Sequence, residues 1–256
     1  MEANGTGIFY KEHGRGRPLV LIHAGSVSGE SWEPYVAAFA DSYRVIVPDT
    51  PGHGRSGVPA STLSYPGLAD HMAAFIAALG LGKPLIAGYS DGGQIALEIG
   101  MRHPGLAGAL VIGGAFFRFN SACRAWLESV FGEGTSVEED ADLLRRNHPE
   151  WAAWLEQIYG PDAWPSVMAR LKPMWTTSFD YSSEALARIA VPTLVLVGDR
   201  DEILPVEEAV ELFRRLPAAE LAVVPDADHG AFFNAKVPLF QAAMLAFLGR
   251  QDTRVG

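Results

Sequence analysis

At 256 residues the chain is long enough for one large α/β domain or two small ones, and 48% hydrophobic content fits a globular protein with a sizeable core rather than a disordered one. A formal charge of -10 argues against nucleic acid or an anionic membrane as the partner. The lone Cys123 excludes an internal disulfide and a Cys-rich zinc site. No apolar stretch reaches the roughly 18–20 residues that span a bilayer, and the N-terminus lacks a basic region followed by an apolar run, so the expectation is a soluble cytoplasmic protein.

In chain order, the opening "IFYKEHGRGRPLVLIH" sets a Gly-rich turn between two strand-like runs and reads as an antiparallel start. Short, almost continuous apolar runs then recur at "RVIVPD" (44–49), "KPLIAGYS" (83–90), "ALVIGG" (109–114), "TLVLVGD" (193–199) and "AELAVVPD" (219–226). Runs of Val, Ile and Leu without alternation suit strands covered on both faces. Helical spacing separates them in "SYPGLADHMAAFIAALG", "GGQIALEIGMRHPG", "EEAVELFRRLP" and the closing "VPLFQAAMLAFLGR". Strand alternating with helix predicts an α/β fold, a mostly parallel doubly wound sheet. The rhythm breaks from 115 to 190, where only helical pieces occur and five of the six tryptophans fall. That segment reads as a helical cap inserted into a core made of 1–114 and 191–256.

Ser90 lies where the strand "KPLIAGY" gives way to the helix "GGQIALEIG", at the carboxyl end where open α/β sheets bind ligands. Gly88-Tyr89-Ser90-Asp91-Gly92 fits G-x-S-x-G. A nucleophile thrust from so tight a turn has strained backbone angles, and side chains two residues to either side would collide. Helix capping is the competing role for this serine. A nucleophilic serine needs a base, and the base an orienting acid, in the chain order Ser, Asp or Glu, His. Asp199, Asp201 and Glu202 follow one strand, and His229 follows the next, on the same rim as Ser90. His23 and His53, in Gly-rich turns, read as loop braces. His103 reads as a helix-end residue, and His13, His71 and His148 as histidines without partners.

Together "LIHAGS", "PDTPGHGRSG", "GYSDGG", "LVGDRDEILP" and "PDADHG" resemble the α/β-hydrolase superfamily over essentially the full length. The resemblance implies the α/β-hydrolase fold with its cap after the sixth strand and a Ser-Asp-His triad. It also selects Asp201 by the Gly-x-x-Asp spacing from Gly198, leaving Asp199 as a loop brace. It further implies an oxyanion hole from the amides of Gly25 and Asp91, although Ala24 stands where relatives carry glycine. No metal and no organic cofactor are implied.

The chemistry expected is hydrolysis of a small-molecule carboxylic ester through an acyl-enzyme. The alternatives are an amino-acid ester or amide, a carbon–carbon bond, perhydrolysis, or a ligand receptor with a slow triad. Asp226 and Asp228 are expected to raise the His229 pKa. Asp91 has two readings. A carboxylate about 5 Å from the oxyanion would oppose it by roughly 3 kcal/mol at an effective dielectric of 20, so the side chain must point elsewhere. It either serves the first helical turn, or faces the pocket and holds a substrate cation, as in valacyclovir hydrolase-like members, whose elbow the tetrad "SDGG" resembles. Trp32, Phe116, Trp154, Trp175 and Phe232 are expected to line an apolar pocket, with Phe117, Trp126, Trp164 and Phe233 as further candidates.

Overall fold

The computed structural model describes residues 1–132, 134, 136–234 and 236–252; the last four residues of the expected core segment, and positions 133, 135 and 235, lie outside the described residues. A two-residue hairpin, β1 (Glu2–Ala3) with β2 (Thr6–Gly7), opens the chain. Its turn is Asn4-Gly5, both at positive φ, which is the dipeptide such hairpins favour.

The main sheet has seven strands: β3 (Tyr10–His13), β4 (Arg17–Ile22), β5 (Tyr43–Pro48), β6 (Leu85–Tyr89), β7 (Ala109–Gly113), β8 (Thr193–Gly198) and β9 (Ala219–Val224). Their order across the sheet is β3-β5-β4-β6-β7-β8-β9, and every pair is parallel except β3 with β5. The antiparallel start is therefore not a hairpin of β3 with β4, because β5 lies between them. Four of β4's six residues are buried, and that apolar run takes a central place flanked by parallel neighbours on both sides. Gly14 makes the link, at φ +70, where a Cβ would stand 2.4 Å from the carbonyls of Ala40 and Tyr43.

Two apolar cores sandwich the sheet. On one face α1 (Glu33–Ala40) and α10 (Val237–Asp252) bury Tyr35, Phe39, Phe240 and Phe247. On the other, α2 (Tyr65–Ala78), α3 (Asp91–Arg102) and α9 (Val206–Arg215) bury Phe75, Ile95 and Leu212. Between β7 and β8 run α4 (Ser121–Phe131), α5 (Val137–Asn147), α6 (Pro149–Tyr159), α7 (Trp164–Thr176) and α8 (Ser183–Leu186). Pro149 splits α5 from α6, since the residue before a proline avoids the helical region. This insertion shares the second core through Leu127, Leu155 and Trp164. It runs between the fifth and sixth strands of the main sheet, since the opening pair β1–β2 forms a separate sheet.

Candidate active site

Chain order reverses direction across the sheet between β4 and β6, which leaves a crevice at their carboxyl ends. The 23–25 loop leaves β4 there, and Ser90 leaves β6 beside it. Ser90 has φ 56 and ψ −120, a strained conformation for a residue with a side chain. Its amide donates to the Gly113 carbonyl at 2.8 Å, and its side chain makes no capping bond to α3. The glycines around it are required sterically. A Cβ on Gly88 would lie 2.0 Å from the Gly92 carbonyl oxygen, and one on Gly92 would lie 2.0 Å from that of Ile22.

His229 follows β9, and its Nε2 lies 3.1 Å from Ser90 Oγ. Its Nδ1 lies 2.8 Å from Asp201 Oδ2, at the end of β8. An ionised carboxylate only accepts, so Nδ1 carries the proton and Nε2 is free to accept from the serine hydroxyl. Asp201 is held in turn by the amides of Ile203 and Leu204, at 3.0 and 2.7 Å from its other oxygen. Asp199 instead accepts from the Ala227 amide at 3.3 Å and braces the loop. Burial works to lower the His229 pKa, but the Asp201 carboxylate, with Glu202 and Asp91 behind it, outweighs burial and raises it above the ordinary value. The Asp226 carboxylate pairs with Lys236 at 3.0 Å.

Gly25 and Asp91 both line the cavity beside Ser90. The Asp91 amide is the first of α3, so no carbonyl of its own helix can reach it. The Asp91 side chain caps nothing. Oδ1 accepts from the Tyr65 hydroxyl at 2.7 Å and Oδ2 from the Trp175 indole N–H at 2.8 Å. Burial pushes its pKa up to about 6 against the pull of those two bonds.

The cavity has a volume of about 880 Å³, with walls from both the core and the insertion. Phe116, Trp126, Trp154, Trp175 and Phe233 line it as expected. Four of the candidates do not. Trp32 ends a 3-10 turn that points its indole into the sheet core, edge-on to Phe232. Phe232 stacks on Tyr89 with ring centroids 3.8 Å apart and is 1% exposed. Trp164 packs inside the insertion, and Phe117 lies buried under the guanidinium groups of Arg118 and Arg215. Four further aromatics line it that the sequence does not single out: Tyr65, Phe119, Trp151 and Phe179. Trp151 donates to Ser26 at 3.2 Å, and Tyr65 is the partner of Asp91; no spacing in the sequence marks either contact.

His23 and His53 are loop braces. His23 Nδ1–H donates to the Ala24 carbonyl at 2.7 Å, and its Nε2 accepts the Thr50 amide at 2.8 Å. Burial lowers its pKa and takes that of His53 down to about 3. His148 and His71 do have partners: His148 bonds Ser129 at 2.9 Å, and His71 bonds the Gly67 carbonyl at 2.8 Å. No group of side chains suited to a metal ion occurs among the described residues, and no helix among them is long and apolar enough to cross a membrane.

Comparison with known proteins agrees with this architecture. The chain is similar to a putative carbamate hydrolase, RutD, of Azorhizobium caulinodans, 29% identical over 96% of each chain. It is also similar to 2-hydroxy-6-oxo-6-(2'-aminophenyl)hexa-2,4-dienoic acid hydrolase of Metapseudomonas resinovorans, 27% identical over 98% of this chain and 90% of that one. Among solved structures, a thermophilic esterase from Thermogutta terrifontis matches with a TM-score of 0.74 and 27% identity, over 95% of this chain and 93% of that one. The model of the alpha/beta hydrolase family matches residues 19–242, and the chain belongs to that family.

Proposed function

We propose that the protein is a serine hydrolase that cleaves a carboxylic ester bearing an apolar or aromatic group, through an acyl-enzyme intermediate. The observation that carries this reading is the relay Ser90 Oγ, His229 and Asp201, with contacts of 3.1 and 2.8 Å at the floor of an aromatic cavity. His229 Nε2 takes the Ser90 proton as Oγ attacks the ester carbonyl. Asp201 fixes the tautomer and stabilises the imidazolium that forms. The amides of Gly25 and Asp91 receive the oxyanion, each worth about 3 kcal/mol if they behave as single oxyanion donors do elsewhere. His229 then protonates the departing alcohol, and water attacks the acyl group by the same route.

The charge of the cavity supports an ester over an acid substrate. Its described lining contains the carboxylates Asp91, Glu150, Glu202 and Asp228 and neither lysine nor arginine. A dienoic acid, such as the one named for the Metapseudomonas resinovorans relative, would bring an anion into that field with no cation to receive it. A neutral aromatic ester meets no such penalty.

The test is hydrolysis of 4-nitrophenyl esters of increasing acyl size. Ser90→Ala and His229→Ala should each lower kcat by about 10⁴- to 10⁶-fold while the proteins stay folded. A variant that keeps a tenth of the wild-type rate would remove Ser90 or His229 from the reaction.

A further inference from the structure

Asp91 is 8% exposed and joins three parts of the site. Its Oδ1 holds Tyr65 of α2, on the core, and its Oδ2 holds Trp175 of α7, in the insertion. The third part is the loop after β4: a Cβ on Gly25 would stand 2.2 Å from Asp91 Oδ2 and 2.6 Å from the Trp175 ring. Next to Gly25, Ser26 is held at φ 62 and accepts the Trp151 indole N–H from the insertion at 3.2 Å. The loop is therefore pressed between a carboxylate on one side and two tryptophans of the insertion.

We propose that Asp91 is a positioning residue, whose carboxylate sets the Trp175 wall and the Gly25 loop relative to Ser90, and that it is not a receptor for a substrate cation. The inference rests on the ester-hydrolase reading. A receptor carboxylate presents free lone pairs to the ligand, whereas one site on each oxygen here is already taken by a neutral donor of the protein, and those two bonds fix the plane of the carboxylate. The Tyr65 phenol stays protonated, because burial and the Asp91 charge push its pKa well above the ordinary value. His229 also acts on the Asp91 charge, and Cys123 of α4 and Tyr181 act on the Tyr65 phenol; burial pushes the Cys123 thiol up to about 12 and raises the Tyr181 pKa. The two donor dipoles point at the carboxylate and offset its charge, which removes the conflict between an acidic side chain and an oxyanion bound to the same residue's amide.

Asparagine separates the two roles. Its amide oxygen accepts from Trp175 and its NH₂ donates to a reversed Tyr65 hydroxyl, so the clamp persists without the charge. Alanine loses both. The experiment measures kcat/KM for phenylalanine ethyl ester and for its des-amino counterpart, ethyl 3-phenylpropanoate, in wild type, Asp91→Asn, Asp91→Ala and Trp175→Phe. The rate at which a neutral 4-nitrophenyl phosphonate labels Ser90 is measured in parallel. We expect Asp91→Ala and Trp175→Phe to lose about ten- to a hundredfold on both esters, chiefly in kcat, with labelling slowed in proportion. Asp91→Asn should fall less, recovering about tenfold of the alanine loss, and the ratio between the esters should stay within about threefold throughout. Loss of tenfold or more on the amine ester alone in Asp91→Asn would make Asp91 the amine's receptor and overturn the proposal. Full rates in Asp91→Ala or Trp175→Phe would overturn it as well. If neither ester turns over, the ester reading fails, and labelling rates unchanged by the substitutions would still refute positioning.

A readout independent of turnover is the indole N–H proton resonance of Trp175, assigned through Trp175→Phe. It should move with pH near 6 in wild type and stay still in Asp91→Asn. A resonance indifferent to pH in wild type would refute the clamp even if Ser90 proved unreactive or the alanine variant failed to fold.

Discussion

Replacing Asp91 with asparagine should tilt the stability of the protein against pH in a calculable way. Burial outweighs the bonds from Tyr65 and Trp175 and lifts the Asp91 pKa from 3.8 to about 6. A carboxyl whose folded value exceeds its unfolded value binds its proton more tightly in the folded state. Stability is then greatest below the unfolded value and declines as pH climbs through the window from about 4 to about 6. Over that window the loss is roughly 3 kcal/mol, at about 1.4 kcal/mol for each pH unit. Asparagine does not ionise, so the difference in unfolding free energy between variant and wild type should move toward the variant by roughly 3 kcal/mol between pH 4 and pH 8. The contribution of His229 cancels except for the part that the Asp91 charge supplies, which ranks behind those of Asp201 and Glu202. Urea unfolding at unit pH steps, read by tryptophan fluorescence, measures the difference directly. A gap constant to within about 1 kcal/mol would refute the argument that burial dominates at this carboxylate, and a tilt toward wild type would show that its hydrogen bonds win.

Further outcomes follow from the same geometry. Activity should rise as His229 loses its proton, with a midpoint above the ordinary histidine value because Asp201, Glu202 and Asp91 outweigh burial. A pH–kcat/KM profile flat from 5 to 8 would contradict this. Phe232→Ala should destabilise the fold by about 3–5 kcal/mol, since it empties a buried ring site against Tyr89. Phe233→Ala, on the cavity side, should act mainly on KM for aromatic esters; equal losses of stability from the two would show the assignment of faces to be wrong. Gly92→Ala should cost about 3 kcal/mol or more, because the Ile22 carbonyl it would strike is backbone at the end of a central strand. A variant with wild-type unfolding midpoint would show that the elbow can relax.

Much of this architecture was legible because its signals are local. The strands β4 to β9 announce themselves as apolar runs, and their observed ends differ from the expected ones by at most two residues. The rim positions of Ser90, His229 and the acidic trio Asp199, Asp201 and Glu202 follow from counting residues past strand ends, and the family resemblance selects Asp201 among the three. What the sequence did not show was set by contacts between distant residues. Asp91 finds Tyr65 and Trp175, 26 and 84 positions away. Phe232 and Phe233 are chemically identical neighbours, and only the turn after His229 decides which ring enters the core and which the cavity. Trp32 is settled in the same way, since it ends a 3-10 turn and is buried in the core rather than in the cavity wall. The pairing of β3 with β5 was hidden because adjacency in sequence suggests β4, whereas two-sided burial assigns β4 parallel neighbours.

The insertion leaves and rejoins the core at one place. Arg118 bridges Asp180 in antiparallel fashion, Phe119 donates to the Phe179 carbonyl at 2.7 Å, and Tyr181 donates to that of Phe117 at 2.9 Å. Strand pairs of this kind hold their backbones about 5 Å apart, a gap that a tight turn spans. The segment beyond this stem therefore leaves and rejoins the core across a gap no wider than a tight turn would need. Ser90, Asp201, His229 and Gly25 all lie outside it, while Trp126, Trp151, Trp154 and Trp175 lie within. Most of the cavity's aromatic wall and the Ser90–His229–Asp201 relay thus come from separate stretches of the chain, and the Asp91–Trp175 bond ties one to the other.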